Sequence, residues 1–154
     1  MAQQGLSEHE LRAWRVSFEM LELLRTRIEQ HLQASAGLSN ADYTVLAVLS
    51  EAPEGRMRIY ELGRTAGWEK SRLHHQLTRM TKRGLIARER CGSRGMDAVI
   101  TPEGLAAIKA AAPSHAQEVR RLFIDRLTPE ELDRFAAISG TILDGLRQAD
   151  KAAD

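Results

Sequence analysis

The sequence has one cysteine, Cys91, in 154 residues. An internal disulfide framework is therefore excluded, and a reducing compartment fits. No apolar run approaches the roughly 18 to 20 residues needed to span a bilayer. The opening "MAQQGLSEHE" lacks the cationic and apolar segments of a secretion signal. These absences predict a cytoplasmic protein. There is also no glycine-rich phosphate loop and no Gly-x-Ser-x-Gly nucleophile motif, so an enzyme reading has little to stand on. Of the five histidines, His74 and His75 are adjacent, and their side chains diverge by about 100° on a helix. His9, His31 and His115 are scattered. With a single thiol they make no zinc set, and neither a metal nor a cofactor is expected.

What is present is 43% hydrophobic and 28% charged residues, the balance of a globular chain able to bury one core. At this length the chain is one domain, or a core domain with extra helices. The net charge is only +1, but it is unevenly placed. Residues 54–100 hold 11 of the 22 Lys and Arg against 5 of the 21 Asp and Glu, a local net of +6. The flanking segments are mildly acidic, at −3 for 1–53 and −2 for 101–154. Attraction to a polyanion follows local charge rather than the total.

Apolar residues at Leu11, Trp14, Phe18, Leu21, Leu24, Ile28 and Leu32 step by threes and fours. They predict a long amphipathic helix from about Ser7 to about Ala34. Ser39, with Asp42 three residues on, starts a shorter, more buried helix that stops at Pro53 and Gly55. "RIYELGRTAG" reads as a short helix ended by Gly67, and the next helix closes at Gly84. "LIARERC", "GSRG" and "MDAVIT" read as strand, turn and strand, a hairpin with Arg94 at its tip. Thr101 and Pro102 start a further helix that should kink or break at Pro113, with Leu122, Phe123 and Leu127 continuing it. Thr128 starts a last helix, predicted to bury Leu132, Phe135, Ile138 and Leu143.

On the helix before Gly84, Leu73, Leu77 and Met80 form one narrow apolar stripe at about 100° per residue. Ser71, His75, Thr78, Arg79 and Lys82 lie opposite it, flanked by Arg72 and His74. The outward arc has no carboxylate; Glu69 sits at the helix start. A merely solvated helix normally mixes signs for i,i+4 pairing. An α-helix fits the DNA major groove, where Arg can bond guanine O6 and N7 together. Arg72, His75 and Arg79 are the candidates for base edges, with Lys70, Ser71, Thr78 and Lys82 on phosphates and His74 at the margin. Arg94 has no packing reason to occupy a glycine-flanked tip and would suit an adjacent minor groove. These residues predict a mainly α fold with a small β-hairpin wing: a winged helix-turn-helix. The long terminal helices cannot bury their stripes on so small a core, which points to a second copy of the chain. A winged-helix module that binds protein rather than specific DNA is the alternative.

"IYELGRTAGWEKSRLHHQLTRMTKRGLIARERC…GSRGMDAVITPEG" resembles the MarR family of bacterial transcriptional regulators. The carrying features are the Ser-containing helix, the exit Arg83-Gly84-Leu85-Ile86 and the closing Ile100-Thr101-Pro102-Glu103-Gly104. "WEKSRLHH" looks like a subgroup common in high-GC actinobacteria. Counted back from Gly104, Arg94 falls on the family's wing arginine, while Gly92 stands where the pattern has an aspartate that steadies the wing. Glu69-Lys70 replaces the frequent Asp-Pro helix start. The resemblance implies dimerisation helices at 1–36 and 102–154 around a DNA-binding lobe at 37–101. It further implies a homodimer on a pseudo-palindromic operator of double-stranded DNA, acting as a repressor and released by a small aromatic or anionic effector. The family places ligands between these regions, so Trp14, Phe18 and Tyr43 are candidates for an effector pocket. Cys91, with Arg88, Arg90 and Arg94 near in sequence, is a candidate redox modulator, against the plainer reading of a strand-end thiol.

Overall fold

The computed structural model describes residues 5–153. The first helix, α1, spans Glu8–Ala36, and its start is fixed by a capping box in which Ser7 and Glu10 satisfy each other's backbone amides. It ends at Gly37, whose φ of 63° is the left-handed conformation open to glycine. The same device opens α2 (Asn40–Glu51): Ser39 accepts from the Asp42 amide and the Asp42 carboxylate accepts from the Ser39 amide, both at 2.9 Å.

Next come β1 (Arg56–Arg58), α3 (Ile59–Ala66), α4 (Lys70–Lys82), β2 (Ile86–Cys91), β3 (Gly95–Ile100), α5 (Pro102–Leu122) and α6 (Pro129–Ala153). The expected hairpin is in fact the larger part of a three-stranded antiparallel sheet in the order β1-β3-β2. The additional strand, β1, is three residues long and two-thirds arginine, so it shows no apolar alternation. Its pairing of Arg56, Met57 and Arg58 with Val99, Ala98 and Asp97 makes it a strand.

The core gathers Leu38, Val45, Leu46 and Leu49 with Leu62, Leu73, Leu77 and Met80, and closes with Leu85, Ile86, Ala98, Ile108 and Ala111. Burying each large aliphatic contributes about 1.5 to 3 kcal/mol, and the expected inward stripe of α4 is one wall of this core.

Three expectations for the C-terminal third need correction. Helix α5 runs through Pro113 without a break; the missing amide costs one intrahelical bond, and the packing of Ile108 and Ala111 on the core holds the helix across it. It then ends at Leu122 instead of continuing, because Phe123 leaves helical geometry (φ −128°, ψ −61°) and a single 3-10 turn, Ile124–Arg126, follows. In α6, Leu132 and Phe135 are half-buried, with the Phe135 ring 5.1 Å from Phe123. Ile138 and Leu143, predicted to be buried, are exposed, as are Ile142 and Leu146. Among the described residues nothing buries that face.

By its contacts the chain forms two compact units, one reaching to Ala116 and one starting at Gln117. The first holds the whole core cluster. Among the described residues no helix is long and apolar enough to cross a membrane.

Candidate nucleic-acid interface

Helices α3 and α4 are joined by a tight turn at Gly67 (φ 66°). A Cβ on Gly63 would come within 3.2 Å of Leu73 Cδ2, so a bare backbone there lets the two helices approach. Helix α4 starts at Glu69, whose side chain makes no capping bond. Leu73, Leu77 and Met80 are buried as their spacing predicts, and Lys70, Ser71, Arg72, His74, His75, Arg79 and Lys82 are exposed along the outer face. Thr78 is half-buried. Its hydroxyl donates to the His74 carbonyl and accepts from Arg88 Nη2. Its one proton is thus engaged, and a phosphate, which only accepts, would have to displace that bond.

Several partners of this face were not foreseen. Gln76, also on α4, is 2% exposed and lies at the edge of the apolar stripe. Its Nε2 donates to Asp42 Oδ1 at 2.7 Å, and its Oε1 accepts from the Arg79 guanidinium. Arg83 donates from Nη1 to Asp42 Oδ2 at 2.6 Å and from Nη2 to the Gly37 carbonyl at 2.9 Å. One buried carboxylate therefore ties the end of α1, the start of α2 and two turns of α4 together. Burial acts to raise the Asp42 pKa, but the Ser39 amide and the Arg83 guanidinium outweigh it and hold the carboxyl below its ordinary value. At the other end of α4, the Arg72 guanidinium lies 4.7 Å from the centre of the Trp68 ring, a cation–π contact.

In the wing, Arg94 is exposed at the tip beside Gly92, which has φ 69°. The aspartate missing at position 92 is replaced by an anchor farther along: Asp97 on β3, 6% exposed, accepts from Arg56 Nε at 3.2 Å. Its other oxygen meets Arg58 Nε at 3.6 Å, an ion pair without a hydrogen bond. Arg56 also holds Glu89 at 2.7 Å. Two of the five carboxylates in residues 54–100 are thus neutralised within the wing. Arg88 on β2 reaches back to α4, donating to the His74 carbonyl and to Thr78, each at 3.0 Å. Cys91 is half-buried opposite Gly95 at the strand end.

The exit and closing motifs are two halves of one contact. Thr101 Oγ1 donates to the Gly84 carbonyl at 2.6 Å and accepts from the Gly104 amide at 3.0 Å, while the Thr101 amide donates to the Leu85 carbonyl at 3.2 Å. A Cβ on Gly104 would sit 2.0 Å from that Leu85 oxygen. The first turn of α5 is thereby clamped onto the chain leaving α4.

The three effector candidates do not come together within a subunit. The rings of Trp14 and Phe18 meet at a tilt with centres 4.5 Å apart, half exposed on α1. Tyr43 instead packs on His115, with ring centres 4.0 Å apart. The contact that joins α1 to α2, Asn40 amide to Glu29 carboxylate at 2.7 Å, is about 22 Å along α1 from Trp14 at the helical rise per residue. Beside Tyr43, His31 Nε2 lies 2.8 Å from Ser114 Oγ. Burial, and secondarily His31, push the His115 pKa down.

A cationic helix presented by a tight helix–turn–helix, with an arginine-tipped three-stranded wing strutted against it, defines a winged helix-turn-helix DNA-binding protein. Residues 36–95 match the sequence profile of the MarR family. The fold is similar to that of AbsC, a MarR family transcriptional regulator from Streptomyces coelicolor: TM-score 0.90 and 40% identity over 95% of this chain and 99% of that one. It is similar also to Sco3205 from the same organism, a MarR family regulator solved in complex with DNA, at TM-score 0.89 and 36% identity over 92% and 93%. Bordetella bronchiseptica BpsR, whose DNA binding is regulated by 6-hydroxynicotinic acid, shares the fold at TM-score 0.74 but only 17% identity, over 85% and 98%. No curated protein matches in sequence. The chain belongs to the MarR family of transcriptional regulators.

Proposed function

We propose that the protein is a cytoplasmic, homodimeric repressor that reads a pseudo-palindromic operator through α4 and the wing. The observation that carries this reading is the outer face of α4, cationic or neutral throughout, together with an exposed wing arginine. Each subunit takes one half-site, about one helical turn from the other. Arg72, His75 and Arg79 meet base edges, Lys70, Ser71 and Lys82 hold phosphates with His74 at the margin, and Arg94 enters the minor groove. Thr78 joins the phosphate contacts only by giving up its bond to His74. The DNA complex of Sco3205 supports the assignment of the partner. Release by a small aromatic or anionic effector rests on the aromatic residues. Tyr43, where α1, α2 and α5 meet around His31 and His115, is the better placed of the three. Redox modulation through Cys91 is not favoured: the thiol is half-buried at a strand end.

Selection of bound DNA from a random pool, repeated with phenolic effectors, tests this function. A dimer neutralising roughly 6 to 10 phosphates loses about 10³ to 10⁵ in affinity between 50 and 200 mM salt. Arg94→Ala weakens operator binding and shortens the footprint. Binding without sequence preference or without that salt dependence would favour a protein-interaction module instead.

A further inference from the structure

A glutamine amide removed from water costs free energy unless both its ends are bonded. Gln76 nevertheless sits 2% exposed on the buried side of α4, at the edge of the Leu73, Leu77 and Met80 stripe. Its surroundings leave the amide a single orientation. The Asp42 carboxylate can only accept, so the Gln76 NH2 must face it. The Gln76 carbonyl is then turned toward the outer face, where the Arg79 guanidinium donates to it. Asp42 is itself immobilised by the Ser39 amide and by Arg83. The chain of bonds runs from the rigid start of α2, through the interior, to one exposed arginine.

We infer that Gln76 is a positioning residue for DNA reading: it holds Arg79 in the orientation that meets a base, with Asp42 fixing the direction of its amide. The inference rests on the DNA-reading role proposed for Arg79. One Nη2 proton is spent on Gln76, and the rest of the guanidinium fork stays free for a two-pronged contact. A side chain already fixed on its free surface loses less rotamer freedom on binding. Gln76 therefore acts on discrimination at a single base pair and leaves the general attraction to phosphate unchanged.

The test compares DNA selected from a random pool by the unsubstituted protein, Gln76→Met, Arg79→Ala and the double variant, each checked for folding by its thermal midpoint. Gln76→Met is expected to lose preference at the same base position that Arg79→Ala loses, with roughly tenfold weaker operator binding. Its salt dependence and its affinity for random DNA stay unchanged, and the double variant is no weaker than Arg79→Ala within twofold. An unaltered base preference in Gln76→Met, or losses that multiply in the double variant, would overturn the inference. Should the unsubstituted protein itself select no sequence, the DNA-reading role fails first, and Gln76 with it. If Gln76→Met does not fold, proton exchange at the Arg79 guanidinium of the unsubstituted protein decides. Slower exchange than at Arg94 supports the positioning role, and equal exchange overturns it.

Discussion

A carboxylate that is 3% exposed needs donors on both oxygens, and Asp42 has three from separate parts of the chain: the Ser39 amide, Gln76 Nε2 and Arg83 Nη1. Asp42→Ala strands the buried Gln76 amide and removes the carboxylate half of the α2 capping box together, and should cost about 2 to 4 kcal/mol in urea denaturation. Arg83→Ala should cost less, about 1 kcal/mol, because Arg83 is 45% exposed and water screens its half of the pair. The Asp42 pKa lies below its ordinary 3.8 in the folded chain. Its contribution is therefore complete above that value and disappears as pH falls through the lower folded one. Acid unfolding of Asp42→Asn should accordingly be shallower than that of the unsubstituted protein. His115 works in the opposite range. Burial and His31 hold it neutral below its ordinary 6.5, so the unfolded chain takes up the proton first. Stability should then decline as pH drops through 6.5 toward the lower folded value. His115→Phe, which keeps a ring against Tyr43, should flatten the urea midpoint over that interval; an unchanged decline would assign it to other groups.

Elements are held in register by contacts that look incidental one residue at a time. Gly104 is helical and has ordinary space requirements in sequence, yet its Cα faces the Leu85 carbonyl so closely that a methyl would lie 2.0 Å from the oxygen. Backbone, unlike a side-chain tip, cannot swing away, so Gly104→Ala must push α5 off the exit of α4. The expected outcome is a loss of about 3 kcal/mol or more in thermal or urea unfolding. Operator binding should weaken beyond the loss of folded protein, because the Thr101 bonds to Gly84 and Leu85 separate with it. The helices were legible from the sequence because their stops and starts are written locally: Ser7 with Glu10, Ser39 with Asp42, Thr128 with Glu131, and glycines at 37 and 67. The outer face of α4 was legible because charge segregates on a known period. Strand β1, the Gln76 link and the Asp97 anchor were not, since each is defined by a partner 34 to 43 residues away. Arg88 on the wing and Pro113 within α5 follow the same rule. Local preference sets each residue's options, and distant packing chooses among them.

For the whole molecule, the question is what covers the two stripes a single chain leaves open. Trp14, Phe18 and Leu21 on α1 are 50 to 54% exposed, and Ile138, Ile142 and Leu146 on α6 are 60 to 62% exposed. Stripes of this length are too apolar to face water in a stable monomer, and in a closed symmetric pair each copy supplies what the other lacks. None of these six residues belongs to the core cluster around α2, α4 and the sheet, so breaking the pair need not unfold the DNA-reading part. Ile142→Glu places a charge in the middle of the α6 stripe. Sedimentation should then show a monomer at concentrations where the unsubstituted protein is dimeric, with helical content largely kept. Operator affinity should fall by about 10² or more, because the second half-site is no longer presented at a high effective concentration. A single half-site should still be bound with nearly the affinity of one subunit, and its base preference should be unchanged. If Ile142→Glu remained dimeric, or if it lost half-site binding along with dimerisation, the α6 stripe would not be the surface that pairs two independently folded readers.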